Sequence, residues 1–151
     1  MRIDERVEEI VREAYRAVIA KDGDRLVAAF RGVSEEDAQT AVRYGVFVAG
    51  FIVNDVLRKG AREGELTELA QRIVASEEDW VDLGSVQDLA SLLGGAARGD
   101  LAYGGVPSEN VIGNIFISGG FLLTSFRLKE QRWWDYLNEI WSAAEAAPEP
   151  A

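Results

Sequence analysis

Three observations predict an all-α fold, a bundle of six or seven helices. Apolar residues recur at helical spacing from the first segment onward, helix-start and helix-stop signals punctuate the chain, and two uncharged runs, residues 44–54 and 110–126, carry glycines inside them. A chain of 151 residues is one domain by length, able to bury roughly two-thirds of the surface it would expose unfolded. The helical domain is expected over 1–146, with a frayed tail over 147–151 rich in proline and alanine.

The first segment, 4–21, sets Val7, Ile10, Val11, Ala14 and Val18 on one helical face between Glu and Arg residues. After the turn Lys21-Asp22-Gly23-Asp24, a short helix over 25–31 is expected to bury Leu26, Val27 and Phe30. Ser34-Glu35-Glu36-Asp37 then reads as a capping box, a hydroxyl three residues before an acid that reaches back, and opens a long helix over 34–59. It should end at Arg58-Lys59-Gly60, where cations suit the negative end of the helix dipole and glycine suits the left-handed cap.

Short helices are expected over 65–75, through Leu66, Leu69, Ile73 and Val74, and over 85–93, through Val86, Leu89, Leu92 and Leu93. The glycine-rich stretch 94–105 reads as a mobile loop that Leu101 and Tyr103 could anchor. Pro107-Ser108-Glu109 opens a sixth helix, over 108–126, and 129–144 forms a seventh. The stretch 111–124 has an alternative as a buried hairpin turning at Gly119-Gly120. Its upstream helix-start signal and lack of strict alternation favour the helix.

On the long helix Ala38, Ala41, Gly45 and Ala49 share a face, and Gly113 and Gly120 coincide on the later one. Two small-residue ridges of this kind let helix backbones approach closely, either inside one chain or across a homodimer. The later helix also carries a stripe of uncharged polar groups, Asn110, Asn114, Ser118 and Ser125. The stripe either pairs with Arg43, Asn54 and Arg58 of the long helix or lines a ligand pocket with them.

The chemistry is bounded mostly by what is missing. There is no histidine and no cysteine, which removes Ser-His-Asp, Cys-His and HExxH sites, disulfides and thiolate metal ligands. No phosphate-binding glycine loop, dinucleotide fingerprint or calcium loop is present. An all-carboxylate magnesium site is the remaining metal reading, from Glu65 with Glu68 and Asp79 with Asp82, each pair three apart. Helical nucleotide pyrophosphohydrolases use acid pairs of this spacing, and the similarity stops at the spacing. No cofactor is expected.

The net charge is −10, and residues 76–110 hold seven acids against Arg98 alone, a balance of −6. Such a surface repels nucleic-acid phosphates and attracts basic proteins, chiefly by speeding encounter. Three of the four tryptophans, Trp133, Trp134 and Trp141, crowd the last helix, which either seals the core or anchors an interface. The sequence therefore points to a non-enzymatic, regulatory or immunity-type protein-binding module, with Asp79, Asp82, Asp88, Trp134 and Trp141 as contact residues. A small-molecule binder or magnesium-dependent nucleotide hydrolase and an oligomeric structural subunit are the alternatives. The acidic start and the shortness of the 110–126 run favour a cytoplasmic chain over a membrane one.

Overall fold

The computed structural model describes residues 1–57, 62–99 and 108–147, which form seven α-helices and no strand. They are α1 (Glu5–Ile19), α2 (Gly23–Ala29), α3 (Glu35–Leu57), α4 (Glu63–Glu77), α5 (Val86–Arg98), α6 (Glu109–Ser125) and α7 (Trp133–Ala146). α3 is the axis, packed against α1, α5, α6 and α7, while α4 rests on α5 and α2 on α1. α3 is also long and apolar enough to cross a membrane by length and composition, yet half of that stretch is buried within the fold.

Short polar side chains start most helices by accepting a backbone N–H left without a helical partner. Asp4 accepts from the Arg6 amide at 2.9 Å, Asp22 from Arg25 at 3.0 Å, Ser34 from Asp37 at 3.1 Å, Ser85 from Asp88 at 3.0 Å and Ser108 from Val111 at 3.4 Å. The expected capping box at Ser34 forms only by half. The Asp37 carboxylate turns away to a two-pronged contact with Arg6, at 3.1 and 3.3 Å, which joins the start of α3 to α1.

The hairpin alternative over 111–124 is excluded, because α6 runs unbroken through Gly119-Gly120. The loop expected from residue 94 begins later: Gly94 and Gly95 are buried inside α5, which ends at Gly99 in the left-handed conformation at φ 70°. Space beside Gly94 is tight, so a larger residue there would make a neighbouring side chain give way by a few tenths of an ångström. A Cβ on Gly94 would meet Leu66 Cδ1 of α4 at 3.1 Å. The remainder of that loop, the stop signal at 58–60 and the tail beyond 147 lie outside the described residues.

Close packing at the small residues is real but pairs differently from the ridge-on-ridge expectation. A Cβ on Gly45 of α3 would meet Ile115 Cγ2 of α6 at 2.9 Å and the Phe116 ring at 3.1 Å, so large α6 side chains seat on the small α3 face. Gly120 instead faces α1, where a Cβ would lie 2.7 Å from Val18 Cγ1, and Gly113 has nothing within 4 Å. Backbone meets backbone where Gly50 of α3 lies against Ala96 of α5. The core between these helices includes Val11, Tyr15, Val48, Ile52, Leu93, Phe116, Leu122, Leu137 and Ile140. Each such large aliphatic side chain contributes about 1.5–3 kcal/mol by leaving water.

α2 departs from its expected burial: Val27 is 65 % exposed, while Leu26 and Phe30 are half-buried. The seven-residue helix touches the rest of the fold chiefly through α1, so one of its apolar side chains is left in water.

Candidate functional site

The acid-rich connection from α4 to α5 is a fixed turn. Glu77 at the end of α4 is buried, and its Oε2 accepts the Trp80 indole N–H at 2.6 Å. Its backbone carbonyl accepts the amides of Trp80 and Val81, both at 3.2 Å. Lys21, held at φ 56° after α1, reaches over with Nζ to the Ser76 carbonyl at 3.1 Å, Asp79 at 3.4 Å and Glu77 at 3.8 Å. Asp82 then accepts the Gly84 amide at 2.9 Å, where Gly84 has φ 77°, and Ser85 caps α5. The result is a turn whose framework faces inward and whose Glu78, Asp79, Asp82 and Asp88 are exposed.

Glu77 is thus a framework residue and no part of the exposed acidic face, although the sequence counts it with its neighbours. An ionised side chain so placed needs partners to offset its lost hydration, and the Trp80 N–H and the Lys21 ammonium supply them.

The two tryptophans expected at a contact surface separate. Trp141 is a core side chain, 6 % exposed, with its ring centroid 5.6 Å from that of Tyr44 and its N–H donated to Glu8 Oε1 at 3.1 Å. Trp134 is 38 % exposed, stands edge-on to Trp133 at 5.5 Å and carries the Arg132 guanidinium 5.2 Å from its ring centroid. The arginine over the ring adds a cation–π attraction and covers part of the face a partner would use.

The polar stripe of α6 does not converge on a pocket. Asn110 is exposed, and Asn114 donates to the Leu83 carbonyl at 3.3 Å. Asn54 donates to the Ala97 carbonyl at 2.8 Å, tying α3 to α5, and Arg43 is exposed and reaches Thr40 Oγ1 of its own helix at 3.1 Å. Arg58 lies outside the described residues. Ser118 is buried with no hydrogen-bond partner, beside an apolar cavity of about 10 Å³ between α3, α5 and α6. Of the stripe, Asn114 ties α6 to the connection after α4, Asn110 and Ser125 face solvent, and Ser118 is buried without a partner, so the four do not act together.

The carboxylate pairs are also used locally. Glu65 accepts the Arg62 amide at 3.3 Å at the start of α4, Glu68 is exposed, and Asp79 and Asp82 serve the turn above. No group of three or more acids gathers as a metal cage among the described residues.

One concavity was not legible in the sequence. A groove of about 950 Å³ runs between the start of α1 and α7, lined in part by Arg2, Asp4, Glu5, Asn138 and Glu145. Its floor is a network in which Glu8 Oε1 takes Arg12 Nε at 2.8 Å and the Trp141 N–H, while Arg12 Nη2 also donates to Asn138 Oδ1 at 2.9 Å. No local spacing signals it, because its two walls come from opposite ends of the chain.

Two tyrosines have phenols shifted upward. Burial alone raises Tyr15, whose hydroxyl has no hydrogen-bond partner. Tyr136 is pushed up to about 12 by burial first and then by the neighbouring Asp55 carboxylate, to which its hydroxyl donates at 3.3 Å. Neither group is poised for proton transfer near neutral pH. Comparison with protein-family models, curated proteins and solved structures finds no match to this chain.

Proposed function

We propose that the chain is a non-enzymatic protein-binding module, regulatory or immunity-type, that engages a basic partner through the acidic turn between α4 and α5. The supporting observation is the turn itself: exposed Glu78, Asp79, Asp82 and Asp88 on a backbone fixed by Glu77, Trp80 and the Ser85 cap. A rigid backbone lowers the ordering cost of binding, and clustered like charge speeds encounter with an opposite surface. The proposed setting is the cytoplasm.

The test is affinity capture with the wild-type chain and with the triple variant Asp79→Lys, Asp82→Lys, Asp88→Lys. A basic protein captured by the wild type in a salt-sensitive manner and lost by the variant supports the reading. Equal capture by both, or no capture by the wild type, counts against it. A small-molecule binder is the second reading, favoured by the volume of the α1–α7 groove and its Glu8–Arg12–Asn138 floor.

A further inference from the structure

No residue of α2 is fully buried, and Val27 projects from it into solvent. Between α2 and the first turns of α6 lies a second groove, of about 330 Å³, lined by Leu26, Val27, Phe30, Ile112 and Gly113 together with Arg31 and Glu109. Gly113 supplies open space within it, since a Cβ there would have nothing within 4 Å. The groove wall thus carries a protruding side chain, a hollow, a cation and an anion. Arg31 and Glu109 each form no ion pair with another described residue.

We propose that this α2–α6 face is a self-complementary contact between two copies of the chain related by a two-fold axis. A two-fold interface uses the same patch twice, so whatever residue i touches on the partner must touch i in return. A patch holding both Val27 and the Gly113 hollow, and both Arg31 and Glu109, supplies the complementary groups this requires: in the dimer each copy's Val27 enters the other's hollow, and two Arg31–Glu109 pairs form across the axis. Apolar burial supplies the attraction, while the ion pairs set register and offset part of the repulsion between two chains of net charge −10. The patch is small, which makes the dimer a weak, concentration-dependent one. It uses different residues from the acidic turn, so it stands independently of the proposed partner binding.

Sedimentation equilibrium of the intact chain at concentrations up to about 1 mM tests it. The expected result is a mass rising towards twice that of the chain. Val27→Asp and Gly113→Leu should each weaken association at least about tenfold, roughly the worth of one buried apolar contact. Arg31→Glu and Glu109→Arg should each weaken it, and the two together should restore it. A wild type that stays monomeric, a dimer indifferent to Val27→Asp, or a double reversal no better than the single ones would overturn the proposal. Should a variant fold poorly by circular dichroism, a second readout remains. The chain has no cysteine, so mixing Val27→Cys with Gly113→Cys protein under mild oxidation should give a mixed disulfide dimer, and its absence would overturn the proposal equally.

Discussion

Gly50 of α3 lies so close to Ala96 of α5 that a Cβ at position 50 would overlap the Ala96 carbonyl oxygen. A backbone atom cannot swing aside as a side-chain tip can, so Gly50→Ala must push the two helices apart. Overpacking of this kind costs about 1–3 kcal/mol. At Gly113 the same change meets nothing within 4 Å and gains the helix propensity of alanine, about 1 kcal/mol. Urea unfolding should therefore show Gly50→Ala destabilised and Gly113→Ala stabilised, and equal effects at both would contradict this packing.

The Tyr15 hydroxyl is buried without a partner, so it loses hydration and gains no bond in return. Tyr15→Phe should leave stability unchanged or raise it by about 1 kcal/mol. A loss larger than that would mean the hydroxyl has a partner in solution.

Tyr136 gives a pH prediction with a definite sign. Its folded value, about 12, lies above the unfolded value of about 10. Above the unfolded value the unfolded chain releases a proton that the folded chain keeps, so unfolding becomes easier as pH rises. The contribution is complete below about pH 10 and is lost as pH climbs to about 12. Thermal melts across that window should show a steeper fall for the wild type than for Tyr136→Phe, and parallel curves would count against the shift.

Glu77 and its neighbours should separate cleanly. Glu77→Ala leaves the Trp80 N–H without its acceptor and should cost about 1–3 kcal/mol. Reversing exposed Asp79, Asp82 and Asp88 should cost less, up to about 1 kcal/mol each, since Asp79 gives up Lys21, Asp82 the Gly84 amide and Asp88 its favourable place in the first turn of α5. A triple reversal that unfolds the protein would show that these acids hold the turn together.

The parts of this fold that the sequence made legible are those governed by local rules. α1 is marked by the spacing of Val7, Val11, Ala14 and Val18, and α3 and α6 by Ser34 and Ser108 ahead of uncharged runs. What was hidden depends on neighbours distant in the chain. Gly94-Gly95 reads locally as a loop, but it is buried inside α5, with Gly94 against Leu66 of α4. Trp134 and Trp141 are alike in sequence, and only the approach of Glu8 and Tyr44 to Trp141 makes one a core residue and leaves the other half in water. The acids of the α4–α5 turn were visible as a charge run, whereas the inward role of Glu77 needed the Trp80 ring to fold back onto it.

The central claim is that the outward-facing acids of the α4–α5 turn form the binding surface, and an NMR titration tests it most directly. Isotope-labelled protein would be titrated with a short arginine-rich peptide at moderate salt, following every assigned backbone amide. Saturable shifts concentrated over residues 78–88, and abolished by the triple reversal of Asp79, Asp82 and Asp88, are the predicted result. Shifts centred instead on the α1–α7 groove, or small shifts spread evenly over the whole surface, would contradict it.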